Sequence, residues 1–193
     1  MIVDGEKRGT IWTIGHSTRP VEEFIELLRI NRIEVVADVR RFPASRRYPQ
    51  YKQAELRLKL ESEGVGYLWL PALGGRRQPL ADSPNDAWRN EAFRGYADHI
   101  ATEEFASGLF DLLGVGEGAR TTVMCSEAVW WRCHRSLIAD VLCSIGVPVL
   151  HILNRTTTTE HPYTSAARVV DGVLSYARET PEDPDQLEIS LLT

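Results

Sequence analysis

A chain of 193 residues has the length of one domain with a substantial core. With 43% hydrophobic and 25% charged residues its balance is that of an ordinary soluble protein, and no apolar run approaches the roughly 20 residues that span a bilayer. The net charge of −5 argues against bulk attraction to nucleic acid.

Along the chain, MIVDGEKRGT lacks the apolar region of a secretory leader, so a cytoplasmic location is expected. TIWTIG (10–15) is rich in β-formers, ends in glycine and reads as a strand. STRPVEEFIELLRIN (17–31) carries helix-start chemistry, with Ser17 or Thr18 as cap, Pro20 in the first turn, and Glu22 and Glu23 behind it. Val21, Phe24, Leu27 and Leu28 give that helix one buried stripe.

EVVADV (34–39) is the second strand, and YKQAELRLKLESEG (51–64) is a helix stopped by Gly64. VGYLWLP (65–71) is the third strand, with a flexible loop, ALGGRRQPLADSPND, behind it. A helical region over 86–113 is expected to break near Gly95 or Gly108. ARTTVMC (119–125) is the fourth strand, and a helix starting at Ser126 or Glu127 runs to Ile145, where Gly146 stops it. VPVLHIL (147–153) is the fifth strand, and 161–179 is expected to add a last helix.

Strands alternate with helices five times, and the strands are apolar runs more than strict alternations. This pattern predicts a three-layer, Rossmann-like α/β domain with a mainly parallel sheet of about five strands. One such domain is expected over 1–180, with an acidic, loosely ordered tail over 181–193.

Ligands of such sheets bind beyond the carboxyl ends of the strands. Five loops leave that edge: GHSTRP, RRFPASRR, LGGRR, CSEAVWWRCHR and HILNRTTTTEHPY. In the first, Gly15 allows close backbone approach, and the helix start beside the Ser17 and Thr18 hydroxyls resembles an anion cradle. The second supplies Arg40 close behind Asp38, and the third Arg76; guanidinium groups match phosphate or carboxylate bidentately. In the fourth, Cys125 is placed at a helix N-terminus near arginines, where a lowered pKa and a nucleophilic thiolate are expected. Cys133 falls two turns inside that helix on the stripe Trp130, Cys133, Leu137 and Val141, as a core thiol does. Cys143 reads as structural.

Three cysteines are too few and too irregular for a disulfide framework, so thiols or metal ligands are expected. A phosphatase loop needs five residues between Cys and Arg, whereas six separate Cys125 from Arg132. A zinc deaminase needs a second ligand pair that Cys133 and His134 do not supply. A distorted metal site using Cys125, Cys133 and His134 or His161 stays open as an alternative, but no metal ligand is assigned, because adjacent side chains on a helix diverge by about 100°. His134, His151 and His161 are candidate general bases; His151 lies in an apolar strand as a core histidine does, and His161 lies in a loop with freedom to reach a ligand.

IWTIGHSTRPVEEFIELL, VVADVRRFPASRR, GVGYLWLPALGGRR, VMCSEAVWWRCHRSLIAD and VPVLHIL…EHPY together resemble the domain of unknown function 488 family, over residues 11 to about 167. G-H-S-T, D-V-R-x-x-P-x-S, L-G-G and C-x-E-x5-C-H-R carry the resemblance. It implies a compact α/β domain whose loops form one site, to which His16, Ser17, Arg40, Ser45, Cys125, Glu127, Cys133, His134 and Arg135 map. It brings no activity, cofactor or oligomeric state.

The expected function is that of an enzyme acting on a small anionic ligand, phosphate- or nucleotide-like. Arg40, Arg135 and the Ser17 helix start would hold the anion, Cys125 would attack, and Glu127 or a histidine such as His134 would move protons. A non-catalytic nucleotide- or nucleic-acid-binding module and a metal-dependent hydrolase or deaminase are the alternatives, with nucleic acid not favoured as a partner and no membrane association expected.

Overall fold

The computed structural model describes residues 9–178, so the expected acidic tail lies outside the described residues. Strands β1 (Ile11–Gly15), β2 (Val35–Asp38), β3 (Gly66–Trp69), β4 (Thr121–Cys125), β5 (Val149–Ile152) and β6 (Thr158–Glu160) form one sheet in the order β3-β2-β4-β1-β5-β6. The first five are parallel, and β6 pairs antiparallel with β5. Helices α1 (Val21–Ile30) and α2 (Gln53–Ser62) cover one face; α3 (Glu91–Ile100), α4 (Glu103–Gly118) and α5 (Arg135–Ser144) cover the other.

Two apolar cores follow from this layering. Trp12 and Ile14 of β1 point to Phe24, Leu27 and Leu28 of α1 and to Leu56 and Leu60 of α2. Ile11 joins Val123, Phe105, Leu112 and Leu137 on the opposite face. Every residue of β1 and β4 is buried, which is why both lack the alternation of a half-exposed strand. The three-layer, mainly parallel α/β arrangement is the one expected. No helix among the described residues is long and apolar enough to cross a membrane.

Several local expectations differ from the structure. The 86–113 helix breaks at Ala101–Thr102, where the Thr102 side chain caps α4 by accepting from the Phe105 amide at 3.2 Å. Gly95 and Gly108 instead sit inside helices where the 71–79 segment presses closest. The loop behind that segment is pinned as well: the Asp98 carboxylate accepts from the Leu80 amide, the Ser83 hydroxyl and the Asn85 amide group. The helix expected over 161–179 is absent from the described part of that range. In its place β7 (Arg168–Val170) and β8 (Val173–Ser175) form a hairpin across Asp171-Gly172, both at positive φ. Asp-Gly between apolar residues is the usual signal for such a turn, and here it outweighs the helical spacing around it.

A buried polar chain ties the second core face together. The Thr13 hydroxyl meets His151 Nδ1 at 2.7 Å, His151 Nε2 meets His161 Nδ1 at 2.9 Å, and His161 Nε2 meets the Asp140 carboxylate at 2.9 Å. Trp130 stacks on the His151 ring at 4.4 Å. Burial, then the neighbouring His161 and Arg135, push the His151 pKa down to about 3. Because this folded value lies below the unfolded one of about 6.5, the unfolded chain takes up the proton first on acidification. The contribution is therefore complete above pH about 6.5 and is lost as pH falls toward the folded value, at up to about 1.4 kcal/mol per pH unit. Denaturant midpoints measured from pH 7.5 down to 4.5 should fall with this sign, and His151→Asn should flatten the slope. An unchanged slope in the variant would assign the acid sensitivity to other groups.

Candidate functional site

β4 lies between β1 and β2, with Gly15 level with Cys125 and Asp38 level with Met124. The three strand ends therefore deliver their following residues side by side. The ladder continues past the strands: the His16 amide donates to the Cys125 carbonyl, and the Ser17 amide to the Ser126 carbonyl, both at 3.0 Å. Ser17 then turns at φ +47° into α1. The position before α1 is Pro20, and no side chain caps that helix. The expectation that Ser17 or Thr18 caps α1 is thus corrected; both residues line a cavity of about 620 Å³ instead.

Of the expected site residues, His16, Ser17, Thr18, Arg40, Ser45, Arg76, Cys125, Glu127 and His134 all line this cavity. Arg135 and His161 do not. Arg135 is 1% exposed and spends its guanidinium inward, Nη2 donating to the Glu127 carbonyl at 2.6 Å and Nε to Cys133 Sγ at 3.3 Å. His161 is held in the buried chain to Asp140. His161 finds its partners ten and 21 positions away, and Arg135 finds its own across a turn that the sequence reads as helix, so nothing local announces that they are occupied.

Arg40 wraps Asp38, its Nε and Nη2 donating to the carboxylate at 2.5–3.0 Å while Nη1 donates to the Tyr51 carbonyl at 2.7 Å. Nη1 also meets His16 Nε2 at 3.3 Å. Arginine only donates, so His16 Nε2 accepts, and Nδ1–H is left to donate to the Ser17 carbonyl at 3.0 Å. Burial and the Arg40 charge, against the Ser17 hydrogen bond, lower the His16 pKa to about 4. His16 and Arg40 thus form a fixed wall, with His16 stacked on Tyr51 at 4.0 Å.

The floor of the cavity departs most from the sequence-based expectation. Residues after Cys125 do not enter a helix: a 3-10 turn over Trp130–Arg132 intervenes, and α5 begins only at Arg135. Cys133 is therefore not two turns inside a helix but at its threshold, beside Cys125. His134 Nε2 lies 3.1 Å from the Val39 carbonyl, which can only accept, so Nε2 carries the hydrogen. Nδ1 is left facing Cys133 Sγ at 3.6 Å and Cys125 Sγ at 4.0 Å.

The expected lowered thiol also moves. Burial alone would raise the Cys133 pKa, but the hydrogen bond from Cys125 and the Arg135 guanidinium outweigh it and bring it down to about 6. Donating that hydrogen bond, and burial, push Cys125 up to about 12. The arginine that activates a thiol here is Arg135, and it reaches Cys133 rather than Cys125.

Arg41, Phe42, Arg47, Tyr48, Gly75, Phe93 and Arg132 complete much of the lining. RRFPASRR and WRCHR announced the arginines by clustering. Phe93 had no such signal, since only the packing of α3 brings it to this edge.

The sequence model of the family described as domain of unknown function DUF488 matches residues 20–142. The chain belongs to the DUF488 family. The match takes in the RRFPASRR, LGGRR and C-x-E-x5-C-H-R segments, and so most of the cavity floor and rim. The GHST turn and the His151–His161 chain fall outside the matched DUF488 range, which is shorter than the expected 11 to about 167. No curated protein and no solved structure matches the chain.

Proposed function

We propose that the cavity binds a small phosphate-bearing anion and that this DUF488 protein is an enzyme acting on it at the Cys125–Cys133–His134 floor. One observation carries the reading. In a chain of net charge −5, the lining holds Arg40, Arg41, Arg47, Arg76 and Arg132 against a single acidic side chain, Glu127. Arg40 is neutralised by Asp38, but Arg41, Arg47, Arg76 and Arg132 are all exposed toward solvent. Concave sites lined by one sign of charge focus the field on a ligand of the other sign. Ser17, Thr18 and Ser45 add hydroxyls around the same space. Glu127, exposed at the mouth, is suited to carry protons between substrate and solvent. The three free cysteines fit a reducing, cytoplasmic location.

Calorimetric titration with inorganic phosphate and with a nucleoside monophosphate tests the cavity. Each guanidinium contact to an anion is worth about 1.5–3 kcal/mol, so Arg76→Ala with Arg132→Ala should weaken binding at least tenfold while leaving the fold intact. Equal affinity in the double variant, or no binding by the wild type, would remove the anion site. In a screen of phosphorylated metabolites, Cys133→Ser, which removes the thiol that Arg135 activates, should bind but not turn over; full activity would move the chemistry away from the floor. Polyanion binding that falls steeply with salt and survives Cys125→Ser would point instead to a nucleic-acid-binding module.

A further inference from the structure

We propose that Cys125, Cys133 and His134 form a metal site for a zinc-class transition ion, ligated by the two Sγ atoms and Nδ1, with a fourth position open to the cavity. This deepens the reading of the floor, but binding of the ion does not depend on the anion site.

The three ligand atoms lie within 4.8 Å of one another. A tetrahedral zinc centre with bonds of about 2.3 Å to sulfur and about 2.0–2.1 Å to nitrogen puts neighbouring ligand atoms roughly 3.5–3.8 Å apart. The observed Nδ1–Sγ separations of 3.6 and 4.0 Å therefore suit an ion at their centre with only small side-chain adjustment. The objection that adjacent helical side chains diverge does not apply, because Cys133 and His134 precede α5.

Second contacts orient the ligands as in metal sites generally. The Nε2–H of His134 is fixed on the Val39 carbonyl, which selects Nδ1 as the ligating atom. Arg135 Nε donates to Cys133 Sγ, a position that stabilises a coordinated thiolate. Gly75 adds a steric observation: a Cβ there would lie 2.8 Å from Nδ1 and 3.1–3.2 Å from its two ring neighbours, over the ring face, so the missing side chain lets the His134 ring keep the orientation that aims Nδ1 at the two thiols. Two thiolates and one imidazole favour Zn²⁺ or Co²⁺ over Mg²⁺ or Ca²⁺. Two thiolates also balance the charge of a divalent ion in a buried place. Three protein ligands with an open fourth position facing the cavity are the arrangement of a catalytic rather than a structural zinc site.

Full-length protein, reduced and stripped with chelator, would be titrated with Co²⁺ without oxygen. One equivalent should produce a thiolate-to-cobalt charge-transfer band and the visible bands of a four-coordinate ion, both displaced by Zn²⁺. Cys133→Ser should roughly halve the charge-transfer intensity, and His134→Ala, at a half-buried position expected to fold, should weaken Zn²⁺ at least a hundredfold. Cys143→Ser serves as the unaffected control. Absence of the bands at one equivalent, or identical titrations in the ligand variants, would overturn the proposal. A Cys125–Cys133 disulfide forming in place of the complex under reducing conditions would also overturn it. Phosphate titration of the same stripped protein separates the two readings. Cobalt bands without phosphate affinity would sink the anion cavity alone, and phosphate affinity without cobalt bands would sink the metal site alone.

Discussion

Asp38→Ala is expected to lower the folding free energy by about 3–5 kcal/mol, the usual cost of leaving one member of a buried ion pair without its partner. Asp38 ends β2 with no exposed surface. Its carboxylate takes Nε and Nη2 of Arg40, the Arg40 amide at 3.0 Å and the Tyr67 hydroxyl of β3 at 2.7 Å. Once the carboxylate is gone, Arg40 keeps its charge at 6% exposure, with the Tyr51 carbonyl and His16 as neutral neighbours and no counter-charge in contact. The loss should extend to function, because the same guanidinium holds the His16 side of the cavity. Denaturant unfolding at pH 7 and fixed salt measures the cost. Asp38→Leu with Arg40→Met should regain most of it, since an apolar pair leaves no stranded charge. A loss below about 1 kcal/mol in Asp38→Ala would mean that Arg40 swings into solvent, and the cavity wall would not be the rigid one described.

Gly15→Ala should be comparably severe, for steric reasons. A Cβ at Gly15 would fall 1.9 Å from the Glu127 carbonyl oxygen and 2.8 Å from that of Ala128. Overpacking that side chains can absorb costs about 1–3 kcal/mol. Here the obstacle is backbone, and it is anchored: the Glu127 carbonyl is held by Arg135 at 2.6 Å, and the preceding residues are laddered to His16 and Ser17. The 126–129 segment must lift away, taking Cys125 and Ser126 out of register. A loss of about 3 kcal/mol corresponds to a fall in Tm of roughly 6–12 °C for a chain of this size. Thermal unfolding read by circular dichroism checks it, with phosphate and cobalt titrations on any folded fraction. A Tm within a degree or two of wild type would show that the loop has another conformation available at no cost.

Much of this architecture is legible without coordinates. IWTIG, VVAD and TTVMC are apolar enough to be buried on both faces, and Phe24, Leu27 and Leu28 repeat at helical spacing. Short-range information of this kind specifies a parallel sheet flanked by helices, and with it the edge at which polar loops gather. The remaining elements rest on short-range signals that are ambiguous. Thr158–Glu160 is too brief and polar to stand out as a strand, and Asp171-Gly172 was masked by apolar residues at helical spacing.

Local pattern is enough to specify the layers, the five parallel strands and the gathering of cysteine, histidine and arginine in the loops of one edge. Those follow from hydrophobic periodicity and from the handedness of strand–helix–strand connections. Where α5 begins is a tertiary matter, because the turn before it is held by Trp130 stacked on His151 of β5 and closed on itself by Arg135 at the Glu127 carbonyl. That starting point makes Cys133 and His134 converge on Cys125. It also turns Arg135 from an expected anion ligand into the buried partner of Cys133, since its guanidinium lies 1% exposed, off the cavity lining, with Nε and Nη2 directed into the fold.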